Sequence, residues 1–298
     1  MTTVELLDDA ADFLVRAGAH LAADPVLNTV VATVAQREAR AGRTTDHGPP
    51  HWYAVVRRGD GEVAGVAMRT APFAPYPLFV LPMPEGAAVR LARLLHERGE
   101  EVGGANGALP AVRTFAEETA RLSGGEVTVR MHTRLFELRT VRAPRRPAGA
   151  LRVATEADAD LALAWFETFH AEADEQAGRT SGHEAEEVAP DAVLRRLRTG
   201  QLFLWDVDGE PVHLTGRNDP SYGAMRLGPV YTPREHRGRG YASATVAGLS
   251  QRALDEGDRP CLFTDQANPV SNAVYERIGY EPVVDMVNLL VGGPGGRP

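Results

Sequence analysis

A chain of 298 residues is long enough for two domains at roughly 150 residues each, and its 43% hydrophobic and 24% charged content excludes a disordered or fibrous polymer. The formal net charge of −8 argues against a uniformly basic nucleic-acid surface, and the absence of any lysine removes Schiff-base and P-loop chemistry. Cys261 is the single cysteine, so no internal disulfide or multi-cysteine zinc site can form. No basic leader and no apolar run of roughly 18 residues occurs, so a cytoplasmic protein without membrane or nucleic-acid partners is expected.

In chain order, residues 8–21 and 25–40 have helical apolar spacing. Residues 51–57 and 62–69 read as strands meeting at the turn Gly59-Asp60-Gly61. Residues 85–97 and 110–122 read as helices, and residues 127–138 alternate as a closing strand. Arg142-Ala143-Pro144-Arg145-Arg146-Pro147-Ala148-Gly149 lacks periodicity and is rich in proline and charge, as a linker is.

Beyond it the order repeats. Residues 151–153 form a strand, 156–173 and 185–198 helices, and 201–207 and 211–217 a hairpin around Asp208-Gly209. Residues 224–231 form a third strand, and a long helix follows whose Ala242, Val246, Leu249 and Ala253 share one face. Residues 260–265, 269–278 and 280–291 close the chain as strand, helix and strand. The domains expected are 1–141, a linker at 142–150, and 151–298. Gly104 to Pro110 resembles Gln266 to Pro269, each pattern opening a helix, which together with the repeated order points to a duplication; such residues also recur before helices simply as turn formers and caps.

Between the third strand and the long helix lies Pro233-Arg234-Glu235-His236-Arg237-Gly238-Arg239-Gly240-Tyr241-Ala242. Gly238 and Gly240 let backbone approach an anion closely, the helix N-terminus adds positive partial charge, and Arg237 and Arg239 stand alongside. A Gly-x-Gly alone also serves as a tight strand-to-helix turn. Farther on runs Asn268-Pro269-Val270-Ser271-Asn272-Ala273-Val274-Tyr275, then Ile278-Gly279-Tyr280.

Together, from about Leu202 to Leu290, these motifs resemble the GNAT superfamily of acyl-CoA-dependent N-acyltransferases. The whole chain resembles bacterial two-domain members whose first half is a degenerate copy. The resemblance implies an α+β fold of tandem GNAT-like domains, each a twisted, mixed, mostly antiparallel sheet flanked by helices. It implies acetyl-CoA as cosubstrate, no metal, and direct transfer of an acetyl group to an amine on a small molecule or protein.

On the same basis Gly228, Pro229 and Val230 match the strand stretch that pairs with the pantetheine arm, and the loop Arg237, Gly238, Arg239, Gly240 and Tyr241 matches the pyrophosphate site. Asn268 and Ser271 match positions that touch the coenzyme, and Tyr275 matches the tyrosine that protonates the departing thiolate. Glu235 departs from the Gln or Arg usual there, which affects one side-chain contact. The first half has Leu81-Pro82-Met83-Pro84-Glu85-Gly86 in place of the glycine loop, so no coenzyme site is expected there and that half is expected to act as scaffold or dimer surface.

The base that deprotonates the acceptor is open among Glu167, His170, Glu172, Asp174 and His213. Glu167 and His170 have the spacing of a di-iron helix without its second copy, and Pro49 and Pro50 keep His47 and His51 off one helix face. Trp52, Trp165 and Trp205 are expected to pack in cores. Two rival functions remain: a noncatalytic acyl-CoA sensor or interaction module, and an NAD-type oxidoreductase. The latter lacks the third glycine and has Asp265 too far along.

Overall fold

A computed structural model describes residues 2–42, 49–71, 74–176 and 190–292, with the side chains of residues 170, 171 and 173–176 not described. His47, the first five residues of the helix expected at 185–198, and the His170 and Asp174 side chains therefore lie outside the described residues. The chain forms two compact units, Met1–Leu135 with Val283–Pro298, and Phe136–Pro282. The last strand of the chain, from Val283 on, thus belongs to the first unit, and the compact division falls at residue 135 instead of in the proline-rich stretch.

The first unit contains β1 (Thr3–Leu7), α1 (Ala10–Ala23), α2 (Thr29–Ala41), β2 (Trp52–Arg57), β3 (Val63–Arg69), β4 (Leu78–Val80), α3 (Glu85–Glu97), β5 (Gly104–Ala108) and α4 (Ala111–Ser123). β6 (Glu126–Leu138) leads out of it. Its sheet has the order β1-β2-β3-β4-β5, then β12 (Tyr280–Gly292), with β4 and β5 parallel and β1–β2, β2–β3, β3–β4 and β5–β12 antiparallel. Five successive residues of β2 are buried, because helices cover both sheet faces. Tyr53 stacks on Phe13 of α1 at 4.7 Å, whereas Trp52 and Ala54 join the core built by α3 and α4.

β1, β4 and β5 were not expected from the sequence. β4 has three residues, and β5 reads Gly-Ala-Asn-Gly-Ala, which lacks the β-branched and aromatic residues of ordinary strands. Its small residues answer to crowding: a Cβ on Gly107 would lie 1.9 Å from the Val80 carbonyl oxygen, and one on Gly104 would lie 2.9 Å from that of Leu289. The Ala-Asn likeness between the halves therefore does not join equivalent positions, since Asn106 lies within β5 and Asn268 caps a helix. The repeated order of elements is the shared feature.

The second unit contains β7 (Ala150–Val153), a 3-10 turn at Glu156–Asp158, α5 (Ala159–Gln176), α6 (Pro190–Arg198), β8 (Leu202–Val207), β9 (Glu210–Arg217), β10 (Ala224–Tyr231), α7 (Tyr241–Asp255), β11 (Arg259–Asp265) and α8 (Pro269–Ile278). Strand order is β11-β10-β9-β8-β7, with β10 and β11 parallel and the rest antiparallel. Alternation along β8 divides the core: Leu202 and Leu204 face Phe166, Val193 and Leu197 of α5 and α6, while Phe203 joins Val246, Leu249 and Ala253 of α7. Ala242, expected on that face, is only half-buried. Trp52 and Trp205 are core residues, and Cys261 is buried.

Candidate functional site

Parallel strands place their following loops and helices at one edge of a sheet, so α7 after β10 and α8 after β11 start on the same side. The two strands pair from Ala224 with Arg259 to Leu227 with Leu262, and the register stops there. β10 continues against β9 through Val230 and Tyr231, after an irregularity between Leu227 and Val230. Gly228 stands at that irregularity with φ +149, and a Cβ built on it would meet no atom within 4 Å. Gly228, Pro229 and Val230 therefore run along an edge from which β11 has departed.

The loop that follows is built for backbone exposure. Gly238 and Gly240 have φ of +73 and +89, values that L side chains avoid, and a Cβ on either would meet open space. Gly240 is the N-cap of α7 and provides no capping side chain, and the first turn holds no acidic residue. Among the described residues the amides of residues 238–243 have no hydrogen-bond acceptor in the chain; the first bonded one is Ala244, to the Gly240 carbonyl at 3.0 Å. Such unclaimed amides at a helix start form an anion cradle.

The arginines of the loop act differently from one another. Arg237 donates from Nε to the Thr232 carbonyl at 2.9 Å and from Nη2 to Glu172 of α5, which also accepts from Arg234 Nε at 2.9 Å. Its guanidinium thus braces the loop. Arg239 is exposed, with one contact to the Glu235 carbonyl at 3.2 Å. The Tyr241 ring packs with Trp205 and Val212, leaving only its amide toward the cradle.

At the other helix, Asn268 caps α8 by accepting from the Ser271 amide at 3.0 Å. Burial pushes the Tyr275 hydroxyl up to about 12, and the Ser271 side chain pulls it partly back. Its ring lies edge-on to Tyr280 at 5.9 Å, in the core cluster that holds Leu227 and Leu262, the last paired residues of the two strands.

Two of the base candidates are committed elsewhere. His213 is fully buried, with its ring nitrogens 2.7 Å from the Thr232 and Thr215 hydroxyls, and burial pushes it down to about 3. It is a neutral strut that fixes Thr232 below the loop. Glu172 is held by two arginines, and Glu167 is exposed. Sequence reasoning missed Arg196 on α6, whose Nη2 donates to the Gly228 carbonyl at 2.7 Å; its one signal was a position flanked by the buried Val193 and Leu197. Arg226 of β10 meets the Asn218 carbonyl oxygen, in the amide orientation that satisfies both, at 2.8 and 3.1 Å.

Among the described residues no group of three or more His, Cys, Asp or Glu could hold a metal ion, and no helix is long and apolar enough to cross a membrane. Residues 210–287 match the family model of the FR47-like protein. No curated protein matches the chain. Among solved structures it resembles a GCN5-related N-acetyltransferase from Sphaerobacter thermophilus, at 19% identity over 97% of this chain and 94% of that one, with a TM-score of 0.57. A GNAT-family acetyltransferase from Colwellia psychrerythraea is similar at 12% identity over 97% and 99%, TM-score 0.55. A tandem GNAT protein from the clavulanic acid biosynthesis pathway is similar at 15% identity over 99% of both chains, TM-score 0.53. The duplicated order of elements, the parted parallel strands and these full-length likenesses make the chain a two-domain protein of GNAT fold.

Proposed function

We propose that the chain is an acyl-CoA-dependent N-acyltransferase that moves an acetyl group from acetyl-CoA directly to an amine. The observation that carries this reading is the parting of β10 and β11 after Leu227 and Leu262, with the Arg237–Tyr241 loop and the α7 N-terminus beyond it. The residues fit the coenzyme. Unclaimed amides of residues 238–243 suit a pyrophosphate, and the unpaired β10 edge at Gly228–Val230 suits an amide-bearing pantetheine arm. Arg237 serves as the brace that shapes the loop, and Asn268 and Ser271 order the start of α8.

In the transfer the amine nitrogen bonds the acyl carbon, the carbon–sulfur bond breaks, and the thiolate gains the proton that the amine gives up. Tyr275 contributes at the sulfur. Burial pushes its hydroxyl up to about 12, so it is protonated at neutral pH and available as a donor. In this reading Tyr275 supplies the proton to the departing thiolate and is recharged by the proton that the amine gives up.

The test is acetyl-CoA turnover by the full chain against a panel of amines, with mass detection of N-acetyl products and NAD as the control ligand. Product formation supports the reading. Acetyl-CoA binding without any product favours a sensor, and NAD binding in place of acetyl-CoA contradicts the proposal.

A further inference from the structure

Arg196 lies where α6 crosses the end of β9 and the irregular stretch of β10. Its Nη2 reaches the Gly228 carbonyl at 2.7 Å and the Arg217 carbonyl at 3.4 Å, and its Cζ stands 5.6 Å from the centre of the Phe166 ring. Room for it comes from Gly216, where a Cβ would fall 2.3 Å from that Nη2 and 2.6 Å from the Gly228 oxygen. The guanidinium is thus seated by a glycine, an aromatic face and a strand carbonyl.

Among the described residues no anion pairs with it. Its polar partners among the described residues are backbone carbonyls, and the charges acting on it are those of Arg226 and Arg195, both positive. Nε is buried without a hydrogen-bond partner, and Nη1 makes no hydrogen bond and is not among the buried atoms. Burial first, then repulsion from Arg226 and Arg195, pushes the guanidinium down to about 10, which leaves it cationic at neutral pH. A cation desolvated beside other cations is costly unless a ligand brings the opposite charge.

We infer that the acceptor is a small amine bearing a carboxylate, an amino acid or close analogue, and that Arg196 binds this carboxylate beside the Gly228 end of the coenzyme slot. The inference rests on the acyltransferase reading and narrows its acceptor. A carboxylate matches the planar guanidinium, and Arg226 adds positive potential from β10. The same charges repel polyamines and polycationic amines, which a chain of net charge −8 would otherwise attract.

The experiment is calorimetric titration of the full-length protein, with CoA present, using the proteinogenic amino acids, their α-carboxamides, and spermidine. At least one acid should bind about 10- to 100-fold more tightly than its amide, and spermidine more weakly than either. Arg196→Gln should remove the preference for acid over amide, and Arg196→Lys should restore part of it. Equal affinity for acid and amide, absence of binding by every acid, tighter binding of spermidine, or a preference that survives Arg196→Gln would each overturn the inference. Failure of acetyl-CoA itself to bind would strike the acyltransferase reading, whereas turnover of amides or polyamines in preference to acids would leave that reading standing and defeat this one.

Discussion

Each unit carries a parallel strand pair whose first strand is followed by a loop and a helix, and the two pairs have opposite fates. In the first, β4 and β5 stay paired along all of β4, from Leu78 with Ala105 to Val80 with Gly107. The loop after β4 folds down on β3, so that a Cβ on Gly65 would lie 2.5 Å from that of Met83, and α3 begins with Pro84 as cap and Glu85 in its first turn. In the second, β10 and β11 part after four residue pairs, and α7 begins with two open glycines and no acid. A shared order of elements can therefore leave an open edge or a filled seam, and strand contact together with the first helical turn decides which.

The largest effect expected on this contrast comes from the borrowed strand. Val287, Leu289 and Val291 of β12 lie in the core of the first unit, and Met286–Leu290 pair with β5. Ending the chain after Pro282 should cost about 5 to 9 kcal/mol, at roughly 1.5 to 3 per buried aliphatic side chain, which is comparable to a domain's whole stability. Circular dichroism and denaturant titration should show the first unit unfolded. A truncated chain of native stability would mean that the seam closes without β12.

Next in size is Tyr275→Phe, which keeps the packed ring and removes the donor proposed at the sulfur. It should lower kcat by about 10² to 10⁴ with little change in acetyl-CoA affinity. Because burial holds the hydroxyl near 12, the wild-type rate should show no high-pH fall from this group below about pH 11. A variant as active as wild type would return Tyr275 to the role of a packed aromatic.

Two glycines offer a smaller and sharper comparison. Gly107 and Gly228 have φ of +147 and +149, yet a Cβ would strike Val80 backbone in one case and nothing in the other. Strain alone costs about 1 to 3 kcal/mol, and overpacking adds about as much again. Gly107→Ala should thus lose about 2 to 6 kcal/mol and Gly228→Ala about 1 to 3. Equal losses in thermal unfolding would erase the distinction between a filled seam and an open one.

The effect that is smallest near neutral pH is a slope with acidity. The folded protein holds His213 far below its ordinary value by burying it, whereas the unfolded chain takes up a proton near pH 6.5. Its contribution to stability is complete above about pH 6.5 and is lost as pH falls toward 3, by about 1.4 kcal/mol per unit. Unfolding free energies measured across that window should flatten by that slope in His213→Gln.

Legibility in the sequence followed the length and regularity of each signal. The bounds of α3, β10 and α8 were readable because their apolar spacing, proline starts and glycine stops are local. β5 was not, since its residues answer to the backbones of Val80 and Leu289, and these are distant in sequence. The place of β12 in the first unit was hidden for the same reason: alternation shows that a strand exists, not which partner it takes. At the site, Gly238 and Gly240 announced their positive φ, whereas the pairing of Arg237 with Glu172 and the seating of Arg196 on Gly216 depend on tertiary neighbours.

The most direct test is calorimetric titration of the full-length chain with acetyl-CoA, beside the same titration of Gly238→Val. The contrast between a filled seam and an open slot predicts one equivalent bound per chain, and strongly weakened binding in the variant, because the side chain blocks approach to the amide cradle and strains a φ of +73. Two equivalents, or one that survives Gly238→Val in a folded protein, would contradict it.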